Sequence, residues 1–498
     1  MRHPEPEVHS MSERKTGLAG YEDVEQDYLD KRTLRKSAGW ILLWALGVGA
    51  VISGDFAGWN TGLLHGGFWG LAISTVLMAV MYVCMVFTIA ELSAALPHAG
   101  GFFSFTRNAF GPLGGFICGL TDAIEYVITP AVIVYFIGGY MQQLVPSVPG
   151  AVWWFVFYAV FVGINVLGVE LTLKLGLVVT GVAMAVLAVF YTSAIASGAF
   201  RWELLFNVEP DAGQSATGLP HGWRGVFAAL PFAMWFFLAI EQLPLAAEEA
   251  HDVVNDMPKA LVWGILTLLV LALLTLVLNS GVGGGAAAIG ASDAPLGDGF
   301  RAVFGIGAAS SLLTVVALTG LIASFHTIIY AYGRVLFALS RAGYIPRWIS
   351  LTNGNHTPHM ALILGAVIGL LCTVAIQATG GKGVGAALLN MAVFGAVISY
   401  TMVMLSYIKL RISRPDLPRP YKSPLGIPGA VVGTLLSVVA MFATFATPDY
   451  RPAVIGVAVF VGVGILYFLL YSRHRLVAQA PEEEDALIAL AEEELTRN

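Results

Sequence analysis

Four acidic residues lie inside apolar stretches long enough to cross a membrane: Asp55, Asp122, Glu125 and Glu241. A carboxylate at the centre of a membrane helix costs about 2.5–3.5 kcal/mol on insertion scales, so a functional role is the first expectation for such a residue. A buried carboxylate either pairs with a cation or takes up a proton. The four acids therefore predict a site for a cation, a proton or both.

The spacing of Asp122 and Glu125 places both carboxylates on one helix face, beside Tyr126. The candidates for proton coupling are Glu125, Glu241, Asp122 and His326. For Asp122 and Glu125 the alternative is that one of the two carboxylates is only hydrogen-bonded within the helix bundle. For His326 the alternative is a hydrogen-bonded structural histidine, which is at least as common within membranes.

Asp55 and Glu241 each lie where a helix is expected to be interrupted. The segment 47–58 is rich in glycine, and Pro244 follows Glu241 closely. Glycine costs about 1 kcal/mol in a helix interior and proline about 3 kcal/mol. A single interruption would favour the alternative, a kink that allows close helix packing. Two interruptions at corresponding positions predict a substrate site at the interface of two repeats, near the membrane midplane.

The predicted substrate-binding residues come from these two breaks and from the helix that carries Glu125. Their aromatic members are expected to close over a cation through their ring faces, or to act by bulk alone. They are Ser53, Gly54, Asp55, Gly58, Trp59, Glu125, Tyr126, Trp235, Phe237 and Glu241.

The composition requires that this site belong to a membrane protein. The chain of 498 residues is 57% hydrophobic and 12% charged, with a mean hydropathy of +0.77, whereas soluble domains carry about 25% charged residues. Lipid offers no partners to backbone amides, so each apolar run of about 20 residues predicts a spanning helix. Twelve spans are predicted, at 38–64, 67–96, 112–143, 150–168, 172–198, 223–250, 259–280, 301–340, 359–379, 384–410, 426–446 and 453–472.

The basic residues predict the orientation. With the N-terminus inside, 21 Lys and Arg residues fall in cytoplasmic segments and 5 in external ones, and such residues are retained on the cytoplasmic side. Both termini are therefore expected in the cytoplasm. The predicted divisions are a polar tail 1–37, a first repeat 38–200 with spans one to five, a second repeat 201–411 with spans six to ten and an external loop 199–222, the last two spans 412–473, and an acidic tail 474–498.

Both tails are expected to be solvated, as charged runs usually are; the acidic one contains Glu482, Glu483, Glu484 and Asp485 and is expected at most to form a short amphipathic helix. The sequence shows no cleaved signal peptide. It also lacks a nucleophile elbow, a metal cluster and a phosphate-binding loop, so no enzyme, cofactor or metal is expected.

Four motifs resemble the amino acid, polyamine and organocation permease superfamily across residues 38–472. They are the glycine-rich break 47–58, the segment 91–103 (ELSAALPHAGGFF), the break 237–244, and the segment 334–346 (RVLFALSRAGYIP). The resemblance implies an all-α integral membrane fold with twelve spans. It also implies a five-plus-five inverted repeat with two additional helices, and alternating access around spans one and six.

Two segments resemble ethanolamine permeases within this superfamily: 54–60 (GDFAGWN) and 125–131 (EYVITPA). In related amino-acid carriers the break of span one offers helix-end amides to the substrate carboxylate, an ordinary anion site. Here Asp55 lies in that break, and its charge would repel a carboxylate while favouring an amine. Some family members place a lysine inside span five, but Lys174 falls at the cytoplasmic start of that span, so this analogy does not assign proton coupling.

The resulting expectation is secondary, proton-coupled import of ethanolamine across a bacterial inner membrane. The alternatives are a permease or exchanger for a cationic amino acid or polyamine, and a membrane sensor that binds an amine without moving it. The expected partners are a small amine, the lipid bilayer and a proton, with no nucleic acid. The sequence makes no prediction of oligomeric state.

Overall fold

The computed structural model describes residues 14–16, 19–305, 310–380, 384–446 and 448–497. Within these ranges the chain forms helices and one small sheet. The α-helices are α1 (Gln26–Asp30), α2 (Trp40–Val51), α3 (Ser53–Phe56), α4 (Thr61–Ala95), α5 (Phe102–Leu144), α6 (Gly150–Leu167), α7 (Val169–Ala196), α8 (Gly222–Ala233), α9 (Val253–Leu274), α10 (Gly285–Gly290), α11 (Pro295–Phe304), α12 (Ser310–Arg341), α13 (His359–Thr379), α14 (Val384–Ser413), α15 (Gly426–Ala446), α16 (Arg451–Leu470) and α17 (Pro481–Arg497). The strands are β1 (Arg14–Thr16), β2 (Ala19–Glu22) and β3 (Leu476–Val477).

Tighter and wider helical turns interrupt or extend several of these helices. The 3₁₀ segments are Trp202–Phe206, Met234–Phe236, Ile240–Glu249, Arg347–Ser350, Pro448–Tyr450 and Ser472–His474, and a π-helical segment covers Thr275–Asn279. π-helical turns are rare in proteins, and those that occur are often found at functional sites.

The described residues contain 11 helices long and apolar enough to cross a membrane, and a shorter apolar helix at Trp40–Phe56. Counting that helix, the twelve predicted spans are confirmed, and the fold is all-α. We number them in chain order: span one is α2 and α3, span six is α8 with its 3₁₀ segments, span seven is α9 with its π segment, and span eight is α12.

Spans three and twelve mark the centre and the edge of the bundle. The apolar window of span three (α5) is 89% buried inside the protein, whereas that of span twelve (α16) is 17% buried. Apolar surface that no other helix covers is compatible with lipid, because the hydrocarbon solvates it. The acids of span three therefore lie in the most enclosed helix.

Glycines mark two helix bends and one helix boundary. Spans two and three bend at Gly67 (φ 64°) and Gly111 (φ 77°), immediately where the two predicted spans begin. The predicted start of span eight at residue 301 is wrong, because α11 is a separate helix that ends before Gly305 (φ 84°) and span eight begins at Ser310. A glycine adopts positive φ without the steric penalty of a Cβ.

Both tails were expected to be solvated, and for part of each tail this is wrong. Strand β2 pairs with β1 in antiparallel fashion and with β3 in parallel fashion, so the two ends of the chain share a sheet. Tyr21, Glu482 and Glu483 are buried. The charge run alone does not reveal this, because the cationic partners of the acids lie on distant spans. We call the face that carries residues 19–37, 342–358 and 474–497 the termini end.

Candidate functional site

The predicted break in span one is present. α2 ends at Val51, α3 ends at Phe56, and the chain becomes extended at Ala57 before turning at Gly58 (φ 97°). Ser324 of span eight holds the interrupted backbone, since its hydroxyl accepts a hydrogen bond from the Ser53 amide at 3.1 Å and donates to the Gly49 carbonyl at 2.9 Å. A side chain from a neighbouring span thus replaces hydrogen bonds that a continuous helix would make.

The predicted break in span six is also present. α8 ends at Ala233, and Ala239 adopts the left-handed conformation (φ 85°), which is uncommon for a residue other than glycine. The Ala239 amide donates to Glu241 Oε1 at 2.9 Å. An acid of the site therefore caps the unwound backbone of its own span.

The two breaks are in direct contact. A Cβ built on Gly54 would lie 1.8 Å from the carbonyl oxygen of Trp235, and one built on Gly58 would lie 2.9 Å from the Trp235 ring. Gln242 of span six donates to the Leu46 carbonyl of span one at 2.9 Å. Glycine at position 54 is required by this backbone approach.

A cavity of about 250 Å³ lies against the breaks. Its wall includes Ser53, Phe56, Gly58, Trp235 and Tyr140. A wider cavity of about 660 Å³ shares part of this wall and continues among the connections opposite the termini end. Ligand sites commonly occupy about 300–1,000 Å³, so the inner cavity suits a small molecule.

Asp55 is buried beside the cavity, while its neighbours Ser53 and Phe56 line the wall. Its Oδ1 accepts a hydrogen bond of 2.8 Å from Thr275, whose hydroxyl lies 2.6 Å from the hydroxyl of Tyr191. Its Oδ2 has no hydrogen-bond partner among the described residues. The carboxylate is directed towards spans five and seven.

Glu125 and Glu241 come together from spans three and six. Both are buried, and Glu241 Oε1 accepts a hydrogen bond from the Tyr400 hydroxyl, whereas neither oxygen of Glu125 has a hydrogen-bond partner among the described residues. Two neighbouring buried carboxyl groups do not readily ionise together, because like charges repel each other. The chemistry of such a pair allows one of its members to hold a proton.

The predicted aromatic residues surround the breaks. Trp235 lines the cavity, whereas Trp59 is buried and stacks on Phe236 with ring centroids 5.3 Å apart. Phe237 packs on Tyr82 at the same centroid distance of 5.3 Å. Of this set, only Trp235 is placed to touch a molecule in the inner cavity.

Tyr126 and the two secondary proton-coupling candidates lie elsewhere in the bundle. Tyr126 is buried beside Glu125. Asp122 is buried beside Ser399 of span ten. His326 is buried with its Nε2 2.8 Å from the Thr172 carbonyl, against the Phe161 ring. His326 does not belong to the cavity wall.

Ion pairs close the site on its termini side. Glu249 at the end of span six accepts from Arg334 at 2.6 Å and from the Tyr330 hydroxyl, both on span eight. The preceding residue, Glu248, pairs with Arg341 of the same span. The structure is thus closed at the termini end and has its cavity on the opposite side.

Sequence reasoning missed the residues that support the breaks: Ser324, Gln242, Thr275, Tyr191 and Tyr400. Each is a neutral polar residue in an apolar span, and such residues are ordinary helix-packing groups in membranes. Only their contacts with the acids and the interrupted backbone distinguish them.

Two unwound spans in contact, a cavity on one side and an ion-paired closure on the other define a membrane transport protein that carries small molecules. The comparisons agree. A family model described as "Amino acid permease" matches residues 39–470. The chain belongs to the amino acid permease family, within the superfamily that its motifs resemble.

Relatives at moderate identity include three bacterial transporters. An uncharacterized transporter of Rhizobium meliloti is 27% identical over 84% of this chain and 88% of the relative. The branched-chain amino acid permease BcaP of Bacillus subtilis is 25% identical over 89% and 94%. The aromatic amino acid transport protein AroP of Escherichia coli K12 is 24% identical over 76% and 81%. The similarity thus extends over most of each chain.

Proposed function

We propose that this permease imports a small organic amine that lacks a carboxyl group, with ethanolamine as its principal substrate. Import proceeds by alternating access across a bacterial inner membrane, with both termini in the cytoplasm. The family supports a transporter of amino acid-like molecules. The excess of basic residues in one set of connections supports the orientation, which makes the cavity described above external.

The environment of Asp55 carries the substrate proposal. A carboxylate-binding site at a helix break needs free amides. Here the amides of Ser53, Asp55 and Gly58 already donate to Ser324 Oγ, to the Ile52 carbonyl and to Asn60 Oδ1. The break therefore offers negative charge and few free donors, which favours an ammonium group and disfavours an acid.

The remaining acids reinforce this preference. Among the described residues, no Lys, Arg or His forms an ion pair with Asp55, Asp122, Glu125 or Glu241. Negative charge that lacks a protein counter-ion raises the local concentration of a cationic substrate. The ammonium is held by Asp55 or Glu241, and unwound backbone carbonyls assist.

Proton coupling is proposed for the Glu125–Glu241 pair. A proton held by this pair would lie between span three and the break of span six, so its arrival or release would change the contact between the two spans. Tyr400 donates to the same carboxyl and keeps it oriented. Release of this proton to the cytoplasm would complete one transport cycle.

An amino-acid substrate is the second candidate, because BcaP and AroP are named for amino acids. A cationic amino acid or a polyamine would use the same acids. The amino acid needs free donors for its carboxylate, so the occupied amides favour the amine.

Uptake into proteoliposomes tests the substrate. Labelled ethanolamine is expected to accumulate, and unlabelled ethanolamine is expected to compete better than arginine, leucine, glutamate or putrescine. Stronger competition by an amino acid or a polyamine would replace the substrate assignment. Binding without uptake would identify a sensor.

Asp55→Asn tests the charge in the break, with Glu203→Gln as the matched control. Glu203 is an exposed acid in the loop between spans five and six. The Asp55 variant is expected to lose ethanolamine uptake at least about tenfold, equivalent to 1.4 kcal/mol, and to bind amino acids more readily. An Asp55 variant that behaves like the Glu203 variant contradicts the proposal.

An imposed pH gradient tests coupling. Wild-type uptake is expected to rise when the external side is acidic. Glu125→Gln and Glu241→Gln are expected to lose this response while Glu125→Gln retains exchange of labelled for unlabelled substrate. Uptake that ignores the gradient in the wild type would remove proton coupling and leave the substrate assignment intact.

A further inference from the structure

We propose that the C-terminal helix α17 is a latch that holds the termini end of the permease closed. The latch acts on span six, the span that must move for substrate to leave on that side. Whether the latch is docked or released is therefore expected to set how often the protein opens at the termini end.

The latch is inserted into the protein through Glu483. This carboxylate accepts hydrogen bonds from Arg107 Nε at 2.7 Å, from the Tyr344 hydroxyl at 2.6 Å and from the Tyr21 hydroxyl at 3.1 Å. The three donors come from span three, from the segment after span eight and from β2. Glu483 thus joins the tail to span three, to the segment after span eight and to the N-terminal strand.

The neighbouring Glu482 connects the latch to span six. Arg341 donates to Glu482 at 2.6 Å and, through the same guanidinium, to Glu248 at the end of span six. The Glu248 carboxylate also accepts from the Ala99 amide at 2.9 Å. One arginine is therefore held between the tail and the span that carries a break.

Burial distinguishes these acids from the rest of the acidic run. Glu482 and Glu483 are 0% exposed, whereas the next residue, Glu484, is exposed. A buried charge is costly unless it is paired and hydrogen-bonded. Two buried acids in an otherwise solvated run therefore mark a specific docking contact.

The base of the latch, which is the segment 475–477 before α17, fits closely against the segment after span eight. A Cβ built on Gly343 (φ 86°) would lie 2.4 Å from the Arg475 carbonyl, and the Val477 amide donates to the Ala342 carbonyl at 3.1 Å. On the other side of the helix, His98 lies 3.3 Å from Asp485. These contacts thus hold residues 475–477 and the first turns of the latch, as far as Asp485.

Opening at the termini end requires the end of span six to leave span eight. While the tail is docked, the Glu248–Arg341 pair is shielded from water, and a shielded ion pair is stronger than a hydrated one. Release of the tail hydrates Arg341 and weakens its hold on Glu248. The latch therefore acts on the gate without touching the substrate site.

Hydrogen exchange of the full-length protein tests the latch independently of any substrate. Glu482→Gln is expected to raise exchange at least about tenfold in the tail (483–492) and in the end of span six (246–252), since local opening free energies govern exchange. Glu484→Gln, the adjacent exposed acid, is expected to leave both segments unchanged. Unchanged exchange in span nine verifies that the variant is folded.

Gly343→Ala provides a test that changes no charge. The added methyl group displaces the base of the tail, and the same two segments are expected to exchange faster. Gly354→Ala is the control, because nothing lies within 4 Å of the Cβ position on Gly354 in the same connecting segment.

Two outcomes overturn the proposal. One is a released tail with unchanged exchange at the end of span six. The other is identical behaviour of the Glu482 and Glu484 variants. Neither outcome bears on the identity of the substrate, so failure of the latch and failure of the proposed function are separable.

Discussion

Gly54→Ala tests whether the two broken spans must stay in contact. The new Cβ would lie 1.8 Å from the Trp235 carbonyl oxygen, about 1.6 Å closer than the 3.4 Å of ordinary contact. Both sides of the contact are backbone, so no side-chain rotation relieves it. Overpacking a buried position costs about 1–3 kcal/mol and occasionally more, and we expect about 3 kcal/mol here. That corresponds to roughly a hundredfold lower population of the arrangement in which the two breaks are in contact.

The assay combines two measurements on purified protein. Inactivation in detergent is irreversible for many large proteins, so the half-life at a raised temperature is the suitable measure of stability. Uptake into proteoliposomes measures function. Gly181→Ala is the matched control, because Gly181 lies within span five with nothing within 4 Å of its Cβ position. In a helix interior, alanine is favoured over glycine by about 1 kcal/mol, so this control is not expected to destabilise the protein. A Gly54 variant with normal uptake and half-life would refute the proposed contact between the breaks.

Three further predictions concern the acids. Tyr400→Phe removes one of the two hydrogen bonds that Glu241 Oε1 accepts, and the Ala239 amide keeps the other, so the expected cost is about 0.5–1.5 kcal/mol; uptake should lose its response to the pH gradient, and an unchanged response would contradict the assigned role. Glu249→Gln leaves the buried Arg334 without its anionic partner and should destabilise the closed termini end by about 3–5 kcal/mol, measured as faster exchange at the end of span six. Burial raises the pKa of Glu483 above its ordinary value of about 4.3, so Glu483 binds a proton more tightly in the docked tail than in the free tail. Docking should therefore weaken as the pH rises above that value, as measured by the mobility of a spin label on the tail. Glu483→Gln should flatten this profile.

The sequence predicts the architecture well, because hydropathy, helix length and the positions of Gly and Pro are local properties. The breaks of spans one and six were found from glycine density and from Pro244, and both are present. The start of span eight was misplaced because the short helix α11 adjoins it in sequence. Hydropathy alone does not separate a spanning helix from an adjoining one.

The site was predicted only in part, since the direction of a side chain depends on tertiary packing. Asp55 was found from its type and position, but its hydrogen bond to Thr275 joins residues that are 220 positions apart. The same limit explains the misjudged tail. Glu483 has Arg107 as its partner at a separation of 376 residues, and a local charge run indicates nothing about such a contact.

The sheet that joins β2 to β3 also has a consequence for biosynthesis. The amide of Val24 donates to the side chain of Gln479, 455 residues later. The N-terminal strand is therefore made first and must wait for almost the whole chain before it gains its parallel neighbour. A nascent or truncated permease that ends before residue 476 contains the residues of all its spans but lacks β3 and α17, so it cannot form the three-stranded sheet or the docked tail.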